Sequence, residues 1–181
     1  MDSLRGHLLV AGPSLQDPSF RHTVVLVADH GDDGAMGVVL NRNSPVTVRD
    51  AVPPMAPLVD PGATVYLGGP VQPQAVVVLA DFAEPERAGG LVLETVGFLP
   101  GTVEDPDELG GLNAVRVFAG YAGWAPGQLE EELDEGSWLV FPARAADVFS
   151  IRPEELWADV LRREGGKYAV LALLPPDPAV N

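Results

Sequence analysis

Cysteine is absent from this 181-residue sequence, and its absence excludes several kinds of chemistry. Without a thiol there is no disulfide framework, no thiolate metal site and no cysteine nucleophile. Basic residues are also few, with 11 Lys and Arg against 26 Asp and Glu and a formal net charge of -15. A surface that follows a phosphate backbone needs clustered cations, whereas Arg162 and Arg163 are the only adjacent basic pair. Direct nucleic-acid binding is therefore not expected.

The sequence also lacks a long apolar run of the kind that targets or spans membranes. The N-terminal run, residues 8–12, is too short for the core of a signal peptide. Residues 62–80 carry no charge, but Gly68, Gly69 and Pro70 interrupt this stretch and favour a turn between two strands. We expect a cytoplasmic protein with no membrane association.

The overall composition is that of an ordinary globular chain. Hydrophobic residues make up 46% of the sequence and charged residues 20%, and the mean hydropathy is +0.13. A chain of this length and composition can bury a substantial core without help from metals or disulfides. We predict one domain that spans residues 1–181.

Most of the segments between glycines and prolines have the pattern of β-strands. The β-branched runs at residues 22–28 and 35–41 are joined by an Asp- and Gly-rich loop, residues 29–34, which favours a hairpin. The other predicted strands are residues 6–11, 64–67, 75–80, 91–95, 114–121, 138–141 and 168–174. These segments together predict a sheet of several strands.

Three segments carry helix signals. Thr47 begins a capping box, and Pro53 ends that helix after about a turn and a half. Residues 126–135 start with proline and end before a glycine, and residues 153–164 carry an apolar stripe at helical spacing. Strands dominate the first half of the chain and helices the second, which predicts the α+β class.

Sequence motifs for catalysis and calcium binding are missing. The loop at residues 29–34 is rich in aspartate, but an EF-hand register starting at Asp29 places Leu40 where the bidentate glutamate belongs. An acidic hairpin is the simpler interpretation. The chain contains no GxSxG, SxxK, Walker or GxGxxG pattern. We therefore assign no catalytic residue, no cofactor and no metal.

The three histidines, His7, His22 and His30, lack the helical spacing of a zinc-binding HExxH motif. A zinc site would require Asp17, His22 and Asp29 to converge in tetrahedral geometry. Two of the histidines lie in predicted strands, where a hydrogen-bonded histidine is commoner than a metal ligand. The zinc site is the less favoured interpretation.

The segment GYAGWAPGQLEEEL, residues 120–133, contains a candidate binding site. Tyr121 and Trp124 fall where a predicted strand meets a predicted helix, and each ring carries a polar group that needs a partner. Gln128 offers a free backbone amide at the helix start, whereas Glu130 and Glu132 would oppose an anion bound there. The alternative is that Trp124 fills the core and the glutamates form a solvated face.

Four segments, taken in order, form a recognisable set: LLVAGPSLQDPSFRHTVVLV (residues 8–27), GAMGVVLNR (34–42), VYLGGPV (65–71) and GYAGWAPGQLEEEL (120–133). Together they resemble the YqgE/AlgH family of small bacterial proteins. The resemblance implies a single compact α+β domain in the cytosol, with a bulged, mostly antiparallel sheet and peripheral helices. It implies no agreed biochemical activity, although one branch of the family is named for an effect on the transcription of alginate genes.

The family pattern, carried over position by position, identifies the candidate ligand- or partner-binding residues. They are Asp17, Arg21, Asn41, Gly68, Gly69, Tyr121, Trp124, Gln128, Glu130 and Glu132. This chain departs from the pattern at His22, where a second basic residue is frequent, and at Asn43, where proline is usual.

These observations leave competing hypotheses for function. The first is a non-enzymatic regulatory or interaction protein that acts through a protein partner or a small ligand, with an indirect effect on transcription. The second is a small-molecule-binding protein or hydrolase-like enzyme, with a cleft near the six positions Asp17, Arg21, Asn41, Tyr121, Trp124 and Gln128. A structural alternative is a buried Asp17–Arg21 pair that ties down a loop. Direct control of transcription ranks last, because residues 153–166 supply no basic recognition helix.

Overall fold

The computed structural model describes residues 1–101 and 105–175, and ten strands in these ranges form one sheet. The strands are β1 (His7–Ala11), β2 (Val24–Gly31), β3 (Gly34–Val39), β4 (Asn43–Thr47), β5 (Thr64–Leu67), β6 (Val71–Phe82), β7 (Gly90–Leu93), β8 (Val96–Phe98), β9 (Leu112–Trp124) and β10 (Trp138–Pro142).

Short helices surround the sheet. The α-helices are α1 (Val48–Ala51), α2 (Gln128–Asp134), α3 (Ala145–Val148), α4 (Leu156–Glu164) and α5 (Lys167–Leu171). Shorter 3₁₀ turns occupy Pro53–Leu58, Pro85–Arg87, Pro106–Leu109 and Pro153–Glu155. Each turn starts with proline, whose fixed φ suits the first helical position. In the two described ranges, no helix combines the length and hydrophobicity needed to cross a membrane.

The sheet is mostly antiparallel, as predicted. Its main path runs β10-β1-β2-β3-β9-β6-β8-β7, and β4 joins through β5. The pairing of β5 with β9 is parallel, and the other strand pairs are antiparallel. Register shifts interrupt β2 after Val27 and β6 after Val71, so the sheet is also bulged. The α+β class with peripheral helices is therefore confirmed.

The centre of the sheet is buried on both faces. In β1, Leu8 and Val10 belong to a cluster that α4 covers, whereas Leu9 belongs to a cluster on the opposite face. Successive side chains of a strand point to opposite faces, so a strand covered on both faces is apolar at every position. The second cluster also contains Trp124 and Trp138, which lie near the candidate corner.

Several predicted elements are confirmed with small changes at their ends. The β2–β3 hairpin forms around the Asp-rich loop, and Thr47 caps α1 by accepting a hydrogen bond from the Asp50 amide at 3.3 Å. The predicted apolar stripe of α4 is buried: Leu156, Trp157, Val160 and Leu161 are each at most 4% exposed. Helix α2 begins at Gln128, two residues after the predicted start, because Gly127 adopts the left-handed conformation.

The predicted strand at residues 168–174 is wrong. The segment forms α5, Lys167–Leu171, because Gly165 and Gly166 adopt positive φ angles of 75° and 56° and turn the chain back against α4. Tyr168 then packs edge-on against Phe141, with ring centroids 5.1 Å apart. A short apolar run fits either a buried strand or a buried helix, and its own pattern could not decide between them.

Two further differences concern the strands. The predicted strand at residues 91–95 ends at Leu93, since Glu94 has a φ of 46° and starts a turn into β8. Strands β4 and β8 were not predicted, because the first contains Pro45 and the second has only three residues. Strand β9 extends to Trp124, so Tyr121 lies inside the strand and only Trp124 reaches the corner.

Candidate functional site

The loop before β2 carries the first candidate residues. Asp17 is exposed, and its carboxylate accepts a hydrogen bond from the Ser19 amide at 2.7 Å. Its backbone oxygen accepts bonds from the amides of Phe20 and Arg21. Asp17 forms no ion pair with Arg21. The proposed buried pair is therefore absent, and Asp17 instead shapes the loop through local bonds.

Asn41 ties the end of β3 to the start of β2. Its side-chain amide donates to the backbone oxygen of His22 at 2.8 Å, and its side-chain oxygen accepts from the Val24 amide at 2.9 Å. These bonds fix His22 in the left-handed region, with φ at 54°. Such a conformation is uncommon for a residue other than glycine and is held by its surroundings.

Arg42 clamps the same loop from the other side. Its guanidinium donates to the backbone oxygens of Ser19 at 2.6 Å, Pro18 at 2.8 Å and Arg21 at 3.3 Å. Burial lowers the pKa of Arg42 and the charge of Arg21 lowers it further, while Asp17 raises it. Arg42 is therefore held close to a second cation, Arg21. The negative charge of Asp17 partly offsets the repulsion between the two guanidinium groups.

His22 stacks on the indole of Trp157, with ring centroids 3.8 Å apart and an interplanar angle of 24°. Trp157 itself is buried and donates from its indole nitrogen to the backbone oxygen of Ala11 at 2.9 Å. Burial, and next the charge of Arg21, lower the pKa of His22 below its ordinary value. The imidazole is thus held as a neutral ring against a fixed surface.

These residues line a cleft of about 570 Å³, which we call the arginine cleft. Its lining combines Arg21, His22, Asn41 and Arg42 with Glu154 and Glu155 from the turn before α4; Trp157, Ala158, Ala172 and Leu174 complete the lining. The volume is within the range of small-molecule sites. The cleft is formed by two distant segments of the chain and is lined by charges of both signs.

Trp124, Gln128 and Glu132 form a separate hydrogen-bonded cluster at the end of β9. One oxygen of Glu132 accepts from the indole nitrogens of both Trp124 and Trp138, at 2.9 and 2.8 Å. The other accepts from the Gln128 side chain at 2.9 Å, and Gln128 in turn accepts from the Ala125 amide at 3.0 Å. We call Trp124, Gln128, Glu132 and Trp138 the indole cluster. Its side-chain polar atoms are bonded within the cluster or to the Ala125 backbone.

Glu130 makes a different internal contact. Its carboxylate lies 2.8 Å from Nε2 of His30, whose Nδ1 accepts from the Leu4 amide at 3.0 Å. The hydrogen bond from His30 is the main reason that the pKa of Glu130 is lowered. The expected solvated face of glutamates is thus only partly present: Glu130 and Glu132 bond inward, and Glu131 is exposed.

Gly68 and Gly69 lie where the β5–β6 connection crosses β9. Gly68 donates to the Ala119 oxygen at 2.9 Å and accepts from the Val39 amide at 2.8 Å. Gly69 has a φ of 150° and faces the backbone of Tyr121. Gly69 also lines a smaller cavity of about 250 Å³ that includes Arg42. The close approach of two backbones accounts for both glycines.

The candidate residues therefore fall into separate groups. Arg21 and Asn41 line the arginine cleft, whereas Trp124, Gln128 and Glu132 form the indole cluster. Phe20 connects the regions, since its ring lies 6.3 Å from that of Trp124 and belongs to the same loop as Arg21. Tyr121 lies opposite Val71 in the sheet and lines neither region.

A family comparison identifies the chain. The AlgH-like family model matches residues 8–169, most of the sequence. This chain belongs to the AlgH-like family. The resemblance seen in the four sequence segments is thereby confirmed.

Relatives of this AlgH-like chain extend over its whole length. A UPF0301 protein of Streptomyces coelicolor is 45% identical over 189 residues, which cover 100% of this chain and 97% of that relative. A UPF0301 protein of Thermobifida fusca is 42% identical over 190 residues, covering 99% and 96% of the two chains. These names record family membership and state no activity.

Solved structures share the fold. The crystal structure of a protein from Corynebacterium diphtheriae matches with a TM-score of 0.87 and 29% identity, over 96% of this chain and 93% of that one. The solution structure of the AlgH protein from Pseudomonas aeruginosa matches with a TM-score of 0.72 and 31% identity, over 96% and 95%. The overall fold of this chain is thus shared with proteins from two other bacteria.

The zinc site considered from the sequence does not form in this AlgH-like chain. Within residues 1–101 and 105–175, no group of three His, Asp or Glu side chains is arranged to hold a metal ion. His22 instead stacks on Trp157, and Asp29 accepts a bond from the adjacent His30 amide at 3.1 Å. The three residues of the hypothesis therefore do not converge.

Of the residues that line the arginine cleft, only Arg21 and Asn41 were among the candidates from the sequence, and Arg42, Trp157, Glu154 and Glu155 were among those missed. Arg42 lies inside one of the family segments, and its position directly after a buried strand and Asn41 was a usable signal. Trp157 was predicted only as part of the core, which it also is. Glu154 and Glu155 gave no signal, because an acidic helix start is common on protein surfaces.

We expect His22 to make this AlgH-like chain sensitive to mild acid. Its pKa is lowered in the folded state, so the unfolded chain takes up the proton first as the pH falls. Stability should therefore decrease below about pH 6.5 and stop decreasing below the folded-state pKa of His22. Urea unfolding at about pH 7.5 and about pH 5.5 should show a larger loss for the wild type than for His22→Asn. Asparagine is the chosen replacement because it also tolerates the positive φ at this position. Equal losses of stability in the two proteins would contradict the role of His22.

Proposed function

We propose that this AlgH-like chain is a non-enzymatic regulatory protein, which acts by binding a small ligand or a protein partner at the arginine cleft. The main support for the proposal is that Arg21 and Arg42 lack ion-pair partners in the part of the chain that the structure describes. Both line the cleft, and neither forms an ion pair with a carboxylate among the described residues. A pair of arginines that has no ion-pair partner in an open cleft is suited to recognising an external group.

The bonding of the other family-motif residues supports binding rather than catalysis. Asn41, Gln128 and Glu132 already use their polar atoms to connect parts of the protein. A general base or a substrate-positioning group must be able to exchange its partner during a reaction. Groups that hold the fold together are poorly suited to that role.

Regulation without direct DNA contact is part of the proposal. The helix α4 contains the only adjacent arginines, but Arg162 lies 2.9 Å from Asp159, and Arg163 lies 2.7 Å from Asp147. Their charges are thus offset within the protein, whose net charge is -15. A recognition helix needs cations that are free to contact phosphates and bases. An indirect effect, through a partner or a ligand, fits these charges better.

We also propose that the protein works in the cytoplasm. The sequence has neither cysteine nor a long uninterrupted apolar run. Fractionation of host cells that carry the tagged full chain tests this part independently of the cleft. Recovery of the protein mainly in the membrane or the medium would contradict it.

A hydrolase-like enzyme remains the competing candidate. His22 supports it, because a neutral imidazole in a cleft beside an arginine is a possible general base. Such a centre would have to work without Trp124 and Gln128, which belong to the indole cluster. Turnover of any ester, amide or phosphoester by the purified chain, lost in His22→Asn, would favour the enzyme over the binding protein.

Complementation of a deletion strain tests the proposed function. The host gene is deleted and replaced by the wild type, by Arg21→Ala or by Arg49→Ala, and the transcript profile is measured. We expect the wild type and Arg49→Ala to restore the profile and Arg21→Ala to fail, although all three accumulate to similar levels. Arg49 is a matched control because it is exposed on α1 and lies outside the cleft.

Two results would contradict the regulatory proposal. Full restoration by Arg21→Ala would remove the cleft from the function. Specific binding of the purified chain to promoter DNA, retained at about 200 mM salt, would replace indirect regulation by direct contact.

A further inference from the structure

The arginine cleft is lined by two groups of opposite charge from different parts of the chain. Arg21 and Arg42 come from the loop and strand end around β2 and β3, while Glu154 and Glu155 come from the 3₁₀ turn before α4. Because the groups belong to distant segments, the packing of α4 against the sheet sets the gap between them. We call Arg21 and Arg42 the cationic side of the cleft and Glu154 and Glu155 its anionic side.

These two sides do not neutralise each other. Glu155 pairs with Arg152 at 2.7 Å, outside the cleft lining, and Glu154 forms no ion pair within the described residues. Arg42 is half-buried and meets only backbone oxygens, and Arg21 makes no side-chain hydrogen bond within residues 1–101 and 105–175. A carboxylate placed beside the two arginines would supply the ion-pair partner that both lack within these ranges.

Contacts among the described residues hold Arg42 and His22, but not the side chain of Arg21, in place before any ligand arrives. Three backbone oxygens fix Arg42, and Asn41 and Trp157 fix the backbone and the ring of His22. A preformed site loses less entropy on binding than a mobile one. Arg21 contributes a planar fork of donors whose geometry matches a carboxylate.

The remaining lining is small and apolar. Ala158, Ala172 and Leu174 contribute methyl groups, and no large ring projects into the space that they line apart from the His22–Trp157 stack. The volume of about 570 Å³ exceeds what an inorganic ion needs. Small aliphatic groups of a ligand would find apolar contacts here.

We infer that the arginine cleft binds a small zwitterion of the amino-acid or short-peptide class, with its carboxylate at Arg21 and Arg42 and its ammonium group toward Glu154 and Glu155. This inference rests on the proposed binding function and specifies its ligand. A multiply charged anion fits less well, because the two glutamates and the net charge of -15 repel it. A zwitterion carries no net charge and satisfies both sides at once.

Calorimetric titration with four probes tests the ligand chemistry. The probes are alanyl-alanine, its C-terminal amide, its N-acetyl derivative and inorganic phosphate. We expect alanyl-alanine to bind, and removal of either charge to weaken binding at least about ten-fold. Equal binding of the capped dipeptides, preferential binding of phosphate, or no binding of alanyl-alanine up to about 10 mM would overturn the inference.

Matched variants test the location. Arg21→Ala and Glu154→Gln should each weaken alanyl-alanine binding about ten-fold or more, while Arg49→Ala and Glu131→Gln should bind as the wild type does. Both control residues are exposed and lie outside the cleft. Wild-type affinity for alanyl-alanine in the two cleft variants would place the ligand elsewhere and overturn the inference.

The complementation result separates this inference from the proposed function. If Arg21→Ala fails to complement but no zwitterion binds, the cleft keeps its regulatory role and the ligand class is wrong. If alanyl-alanine binds in the cleft but Arg21→Ala complements fully, the site stands and the regulatory role fails.

Discussion

Gly69→Ala should destabilise the protein by at least about 3 kcal/mol, a large part of the stability of an ordinary domain. A methyl carbon at this position would overlap the backbone of Tyr121 and lie 2.5 Å from the Ala122 nitrogen. The φ of 150° at Gly69 is also unfavourable for any residue with a side chain. Because the obstacle is backbone on a central strand, it cannot move aside as a flexible side chain would.

Gly62→Ala provides the matched control. A methyl carbon at Gly62 meets no atom within 4 Å, and its φ is not in the left-handed region. We expect a change of no more than about 0.5 kcal/mol. Urea unfolding monitored by circular dichroism measures both variants, and loss of folded, soluble Gly69→Ala beside a normal Gly62→Ala counts as the expected result. A Gly69→Ala variant within about 1 kcal/mol of the wild type would show that this crossing is not tightly packed.

The glycine pair illustrates which parts of the fold can be predicted from the sequence. Gly68 and Gly69 were correctly expected to form a turn between strands, since glycine followed by Pro70 is a local signal. That the turn crosses β9 at Gly120 is not a local property. It follows from pairing of β5 with β9, which are separated by more than 40 residues.

Helices α4 and α5 show the same limit in another way. The stripe of α4 has four apolar positions on one side, so its period identifies a helix. The segment that became α5 has apolar residues at nearly every position, and strand and helix fit it equally. Only the turn at Gly165 and Gly166, which returns the chain to α4, decides between them.

Residues of the candidate site could be predicted one by one, but their grouping could not. Arg21 and Asn41 do share a cleft, yet the rest of its lining includes residues more than 110 positions later in the chain. Trp124 and Gln128 looked close to this cleft because they belong to the same family pattern. In the fold their polar atoms meet Glu132 instead.

Glu132→Ala should cost about 2 to 4 kcal/mol of unfolding free energy. The carboxylate accepts from two indole nitrogens, and both tryptophans are nearly buried, with Trp124 6% and Trp138 4% exposed. Without it, two buried donors lose a charged acceptor, which is more costly than the loss of an exposed bond. Alanine favours the helix, so the loss cannot come from helix propensity. Urea unfolding, followed by tryptophan fluorescence, measures the effect.

Glu131→Ala is the control for this prediction, because Glu131 is exposed on the same helix. The free energy of unfolding of Glu131→Ala should stay within about 0.5 kcal/mol of the wild type. The loss in Glu132→Gln should lie between the losses in Glu131→Ala and Glu132→Ala, since an amide keeps one oxygen acceptor. A double-mutant cycle with Trp138→Phe isolates the shared bond, and we expect a coupling of about 1 kcal/mol or more. Additive losses would mean that Glu132 does not stabilise the corner through the indole nitrogen of Trp138. Coupling would establish that a residue expected on a solvated face instead serves as the acceptor around which the corner is built.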